Sequence, residues 1–178
     1  AMLLHDIGKP ETITTDEDGT NHFHGHPKVS AKMAEDILKR LRYDNDTIYK
    51  VTRLVEFHDY GKGVQPDLRL TRRAVNRIGE DIFPLLMPVY RADVLAQSEY
   101  KREEKLEAID KWEQLFAEIQ EKSQCVSLKT LAVNGSDLIA LGMKPGKEIG
   151  ETLHALLDHV LDHPEDNNKE TLIRKVQS

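Results

Sequence analysis

Apolar residues recur at helical spacing along most of the chain. After Pro27, the residues Val29, Met33, Ile37 and Leu41 fall at every fourth position. This spacing places them on one face of an amphipathic helix, and proline is favoured at the first helical position. The pattern therefore predicts a helix that begins at Pro27.

The same period predicts further helices, and polar segments without it predict the connections. Residues 11–25 are expected to be a polar loop, and the run that ends at His5-Asp6 is expected to be helical. The further helices are predicted at 46–58 with Asp46 as N-cap, at 71–78 with Thr71 as cap, at 81–98 and at 100–122. A hinge at 123–127 and shorter helical stretches after it divide the chain into domains at 1–124 and 125–178.

Composition supports an all-α fold and limits the possible partners. Of the 178 residues, 31% are charged and 6% are aromatic, which is typical of helical proteins. The net charge of −6 argues against bulk electrostatic binding of nucleic acid, although a local basic face stays possible. Because Cys125 is the single cysteine and no apolar run approaches about 20 residues, we expect a soluble, cytoplasmic protein without a membrane span.

The segment His5-Asp6-Ile7-Gly8-Lys9 is the strongest chemical signal. An imidazole and a carboxylate on adjacent residues can bind one ion from two sides, and this donor pair suits zinc, iron, manganese or nickel. We interpret His5 and Asp6 as metal ligands, and the alternative is an ordinary pair of polar residues at a helix end.

Three later residues extend this candidate site, and each has an ordinary structural alternative. Asp93 is either a ligand or a core carboxylate paired with Arg91. His26 is either a ligand or a helix-entry residue, and His58 is either a ligand or a C-terminal residue facing the helix dipole. Asp59, which follows His58, is placed outside the ligand set.

These residues together resemble the HD-domain metal-dependent phosphohydrolases over residues 1–98. The resemblance implies that His5, Asp6 and Asp93 hold a divalent ion, and that His26 and His58 contribute to a second ion, as in some members. Manganese, nickel, magnesium, zinc and iron are not distinguished. Asp6 and Lys9 are the predicted catalytic residues, with Lys9 neutralising charge on phosphoryl oxygens beside an ion that activates water.

HD domains use one more histidine on a helix upstream of the His-Asp pair. We therefore expect either that the metal site is incomplete or that the chain is part of a longer protein.

The C-terminal segment has a second resemblance. The motifs Asn134-Gly135-Ser136-Asp137-Leu138-Ile139 and Gly142-Met143-Lys144-Pro145-Gly146-Lys147-Glu148-Ile149-Gly150 resemble the C-terminal region of CCA-adding tRNA nucleotidyltransferases and bacterial poly(A) polymerases. This implies RNA, and specifically tRNA, as a partner, without indicating which residues bind it. The paired carboxylates of a nucleotidyltransferase head are missing, so this chain alone is not expected to add nucleotides.

The sequence therefore predicts a divalent-metal-dependent phosphohydrolase that acts on nucleotide or RNA-end phosphoesters within a protein of this family. The alternative is a catalytically silent HD scaffold that binds tRNA.

Overall fold

The fold, described for residues 1–177 by a computed structural model, is all-α as predicted. Within these residues the helices are α1 (Lys9–Thr12), α2 (His26–Arg40), α3 (Asn45–Phe57), α4 (Leu68–Ile78), α5 (Phe83–Ala96), α6 (Arg102–Glu121), α7 (Gly135–Ala140), α8 (Lys147–Asp162) and α9 (Lys169–Gln177), with a 3-10 turn at Pro164–Asp166. No helix among them combines the length and the apolar character that a membrane crossing requires.

Two local predictions about the N-terminal region are wrong. The segment that carries His5 and Asp6 forms successive turns, such as Leu4 N–H to Ala1 O at 2.8 Å and Lys9 N–H to Asp6 O at 3.0 Å, and a regular helix begins only at Lys9. The predicted loop at 11–25 contains a small antiparallel hairpin of β1 (Thr14–Thr15) and β2 (Asn21–His22).

The predicted caps of α3 and α4 are also wrong. Asp44, not Asp46, caps α3, because its carboxylate accepts the Thr47 backbone N–H at 2.9 Å. At α4 the Asp67 carboxylate accepts the backbone N–H of Leu70 at 2.6 Å. Thr71 lies inside that helix, where its hydroxyl donates to the carbonyl four residues earlier.

One compact unit comprises residues 1–66 and 78–113. In it α2 packs against α3 through a small core that includes Ala34 and Val55, both fully buried. Helix α5 adds large buried side chains, and Phe83 makes an edge-to-face contact with Trp112 at 5.8 Å between ring centroids. These helices hold the turn segment and the ends of α2 and α3 in place.

The other compact unit comprises, among the described residues, 67–77 and 114–177. Its core consists of Cys125, Leu131, Val133, Leu138, Leu156, Leu157, Val160, Leu161 and Leu172. The buried Arg72 joins α4 to this core by donating to the Leu161 carbonyl at 2.7 Å. A capping box at the start of α7, between Asn134 and Asp137, fixes the Asn-Gly-Ser-Asp motif as a helix start.

Candidate metal centre

Three histidine side chains of the first unit are oriented in the same way. The Nδ1 atoms of His5, His26 and His58 lie 2.7, 2.8 and 2.7 Å from the backbone carbonyl oxygen three residues earlier. Because a carbonyl oxygen only accepts, each Nδ1 carries a proton, so that the neutral form of each ring has its lone pair on Nε2. Metal-ligating histidines are held by the same kind of hydrogen bond.

The Nε2 atoms of two of these histidines face each other. His26 Nε2 and His58 Nε2 are 3.2 Å apart, and Asp6 Oδ1 lies 3.2 Å from the former and 3.4 Å from the latter. Asp6 Oδ1 is buried and forms no hydrogen bond within the described residues. Two lone pairs and a carboxylate oxygen at these distances repel one another unless a proton or a metal cation lies among them.

The second predicted carboxylate reaches the cluster from α5. Asp93 is buried, and its Oδ1 lies 3.6 Å from His5 Nε2. Its Oδ2 accepts from Lys62 Nζ at 2.7 Å and from Gln97 Nε2 at 2.9 Å. Arg91 donates instead to Asp110 and Glu113, so Asp93 is not the arginine-paired core carboxylate that was the alternative.

Asp59, which the sequence analysis placed outside the ligand set, also lies in the cluster. Its Oδ2 is 3.3 Å from His26 Nε2, its Oδ1 is 3.5 Å from His58 Nε2, and it pairs with Lys62. The sequence signal for Asp59 and Lys62 is a repeated motif. His58-Asp59-Tyr60-Gly61-Lys62 has the same H-D-x-G-K pattern as the segment that begins at His5. Lys62 therefore corresponds to Lys9, which donates to Asp6 Oδ2 at 2.5 Å.

Burial and neighbouring charges favour the ionisation states that metal binding requires, which are neutral imidazoles and ionised carboxylates. Burial lowers the pKa of His58 and keeps the ring neutral. Burial acts to raise the pKa of Asp6, but the hydrogen bond from Lys9 and nearby positive charge outweigh it and hold that pKa below its ordinary value. The pKa of Asp93 is lowered in the same way, because burial is outweighed by the hydrogen bond from Lys62.

The donor set fits a transition-metal ion. Two overlapping groups, His5-Asp6-His58 and His26-His58-Asp59, each offer ligand atoms that lie within 4.8 Å of one another. Neighbouring ligands that each lie about 2.0–2.2 Å from one ion are separated by about 3–3.6 Å, and the individual distances of 3.2–3.6 Å given above fall in this range. The structure thus brings His5, Asp6, His26 and His58 into these groups together with Asp59, and Asp93 reaches the cluster beside His5 Nε2.

Comparison with known proteins identifies the family. Residues 12–176 match the family described as tRNA nucleotidyltransferase domain 2. The chain belongs to this family. His26, His58 and Asp93 lie within the matched range, and His5 and Asp6 precede it.

Two curated relatives are named as tRNA nucleotidyltransferases. The A-adding tRNA nucleotidyltransferase of Deinococcus radiodurans is 33% identical over 165 residues, which are 89% of this chain and 36% of the relative. The CC-adding tRNA nucleotidyltransferase of Thermus thermophilus is 31% identical over 163 residues, 89% of this chain and 34% of that protein. The chain thus spans about a third of the length of these relatives. No solved structure gives a significant match.

Proposed function

We propose that the chain is a divalent-metal-dependent phosphohydrolase that cleaves nucleotide or RNA-end phosphoesters, within a longer cytoplasmic protein of the tRNA nucleotidyltransferase family. The observation that carries the proposal is the convergence of the Nε2 atoms of His26 and His58, each ring held by a backbone carbonyl, on Asp6 Oδ1, which has no hydrogen-bond partner among the described residues. His5 Nε2 lies beside the other oxygen of the same carboxylate, 3.3 Å from Asp6 Oδ2. A cluster of this kind is costly to bury unless it binds a cation.

The residues of the cluster divide between binding and charge stabilisation. A divalent ion at such a site supplies Lewis acidity, which favours ionised water and neutralises phosphoryl oxygens. His5, Asp6, His26, His58 and Asp93 would hold it. In the reaction, water attacks phosphorus, the bond from phosphorus to the leaving oxygen breaks, and the proton of the water passes to the leaving group.

Two ammonium groups border the cluster and can contact the phosphoryl oxygens. Lys9 pairs with Asp6, and Lys62 pairs with Asp59 and Asp93. Burial acts to lower the pKa of Lys62, but its hydrogen bonds to the two carboxylates raise that pKa above its ordinary value. Lys62 is therefore a permanent positive charge at neutral pH, which suits the stabilisation of a phosphorane-like charge distribution.

The proposal is tested by hydrolysis of bis(p-nitrophenyl) phosphate and of 2′,3′-cyclic nucleotides, with manganese, nickel, zinc or magnesium added in turn. We expect metal-dependent turnover that falls at least 100-fold in His58→Ala. His154→Ala is the matched control, because His154 is exposed on α8 in the other unit. Absence of turnover with every metal would refute the proposal.

We also propose tRNA as the partner of the longer protein, because both relatives are named for tRNA. Three of the arginines on α4 do not identify the surface that contacts tRNA, because their side chains are engaged within their own unit. Arg69 and Arg73 donate to Asp162, and Arg72 donates to a backbone carbonyl of its own unit. If the chain binds tRNA with a negative salt dependence that His5→Ala leaves unchanged, and hydrolyses nothing, the silent scaffold replaces the hydrolase.

A further inference from the structure

A cavity of about 270 Å³ borders the His/Asp cluster within the first unit. The loop at 61–65 forms one side of it, and residues of α5 and α6 form the other. Lys62 and Gln97 connect the cavity to the His/Asp cluster, because both line the cavity and both donate hydrogen bonds to Asp93. A molecule in this cavity would therefore lie directly beside the cluster.

The walls of the cavity are largely apolar. Its apolar lining includes Val64, Val94, Ala108, Ile109 and Trp112. Gly61 explains how the loop approaches so closely. Its backbone has φ +72°, and a Cβ there would lie 3.0 Å from Trp112 Cζ2, so a larger residue would be strained and would crowd the indole.

The polar groups of the cavity are few and lie at separate points. The Gln65 amide offers both a donor and an acceptor, whereas the Gln97 amide already donates to Asp93 and accepts from Lys105 and keeps one N–H and one lone pair. Lys101 and Lys105 add positive charge, Glu104 pairs with Lys101 at 3.5 Å, and Lys105 donates to Gln97 Oε1 at 3.2 Å. Apolar walls with a few amides match a nucleobase, which has apolar faces and a polar edge.

The size of the cavity restricts the ligand. Its volume lies just below the range of about 300–1,000 Å³ that is usual for pockets holding drug-sized ligands. It can take one base or nucleoside, but not a stack of bases. The lysines disfavour a wholly apolar ligand and favour one that carries phosphate.

We propose that this cavity binds the nucleoside of a nucleotide phosphoester, with the base between the apolar walls and the phosphate directed past Lys62 towards the His/Asp cluster. The proposal rests on the proposed function for the role of the cluster. The nucleoside belongs either to a free nucleotide or to the terminal residue of an RNA.

The single tryptophan makes the test direct. Trp112 lines the cavity, so its fluorescence, excited at the red edge where bases do not absorb, reports occupancy. The full chain, treated with a chelator, is titrated with the four nucleosides, their 2′- and 3′-monophosphates, inorganic phosphate and short RNAs. We expect at least one nucleoside and its monophosphates to change the fluorescence, and inorganic phosphate not to.

Two variants on helix α6 distinguish a side chain that occupies the cavity from a substitution that merely disturbs the helix. Ala108→Leu places a larger side chain in the cavity and should weaken nucleoside binding at least tenfold. Ala117→Leu is the matched control, because Ala117 is an exposed alanine of the same helix α6. Gln65→Leu, in the exposed loop, should weaken binding up to roughly tenfold through loss of an amide hydrogen bond.

The outcomes distinguish this proposal from the proposed function. If no nucleoside, nucleotide or RNA changes the signal, or if Ala108→Leu binds as the unaltered chain does, the cavity proposal is refuted, even if bis(p-nitrophenyl) phosphate is hydrolysed. If nucleosides bind in the cavity but no metal supports hydrolysis, the cavity proposal stands and the hydrolase fails. A signal from nucleosides and monophosphates identifies a free nucleotide as sufficient, and a signal from RNA alone identifies the RNA terminus.

Discussion

Gly8 is the residue at which the turn segment meets α2, and a methyl group has no room there. A Cβ added to Gly8 would lie 2.7 Å from the backbone nitrogen of Ser30 and 3.0 Å from Val29 Cβ. The backbone φ of Gly8 is −85°, so the requirement for glycine comes from this close approach and not from its conformation. Since the nearest obstacle is backbone, no side-chain rotation can relieve the contact.

The expected cost of Gly8→Ala follows from two terms. Overpacking costs about 1–3 kcal/mol, and the hydrogen bond from Gly8 N–H to Ser30 Oγ at 2.9 Å, which the shift would break, contributes about 1 kcal/mol. A loss of about 2–4 kcal/mol lowers the Tm of a chain of this size by roughly 5–15 °C. The same shift moves His5 and Asp6 away from His26, so metal affinity should fall as well.

Thermal unfolding followed by Trp112 fluorescence measures this change, because Trp112 belongs to the same unit as Gly8. Gly150→Ala is the matched control. Gly150 lies inside α8, and an added Cβ meets nothing within 4 Å there, so alanine should stabilise the chain by about 0.5–1 kcal/mol. A Gly8→Ala variant that unfolds at or above the temperature of the unaltered chain would show that the close approach is wrong.

Two further predictions concern the second unit. Leu138 is fully buried in its core, so Leu138→Ala should lower the free energy of unfolding by about 2–5 kcal/mol in circular dichroism melts, and a loss below about 1 kcal/mol would contradict this packing. Hydrogen bonds from Arg69 and Arg73 hold the pKa of Asp162 well below its ordinary value. The contribution of this carboxylate to the free energy of unfolding is therefore fully present above about 3.9, its pKa in the unfolded chain, and is lost as the pH falls further. The Tm difference between the unaltered chain and Asp162→Asn should therefore narrow as pH is lowered from about 5 to about 2, and a constant difference would count against the ion pair.

The helical pattern of the sequence predicted the all-α class because its period reflects which faces are buried. It did not resolve the helix ends, where neighbouring residues compete to cap. Asp44 and Asp46 are both suitable caps for α3, and the choice depends on which carboxylate the loop places next to Thr47 N–H. Asp46 pairs instead with Lys50 at 2.7 Å.

A motif identified His5 and Asp6 in the sequence, and the resemblance to HD domains supplied His26, His58 and Asp93, but only the fold shows that these residues approach one another. His5 and Asp6 carry a recognisable five-residue pattern, whereas the approach of Asp93 to within 3.6 Å of His5 Nε2 depends on the position of α5. Asp59 was placed outside the ligand set and Lys62 was not singled out, although both belong to the second copy of that pattern. Their role as partners of His26 and Asp93 is visible only once α3 and α5 are packed.

The central claim, that the His/Asp cluster binds a divalent ion, is tested most directly by calorimetric titration of the chelator-treated chain with manganese, nickel and zinc ions. We predict at least one saturable site. Its affinity should fall tenfold or more in His58→Ala and stay unchanged in His154→Ala. Absence of saturable binding for all three ions, or equal affinity in the unaltered chain and His58→Ala, would contradict the claim.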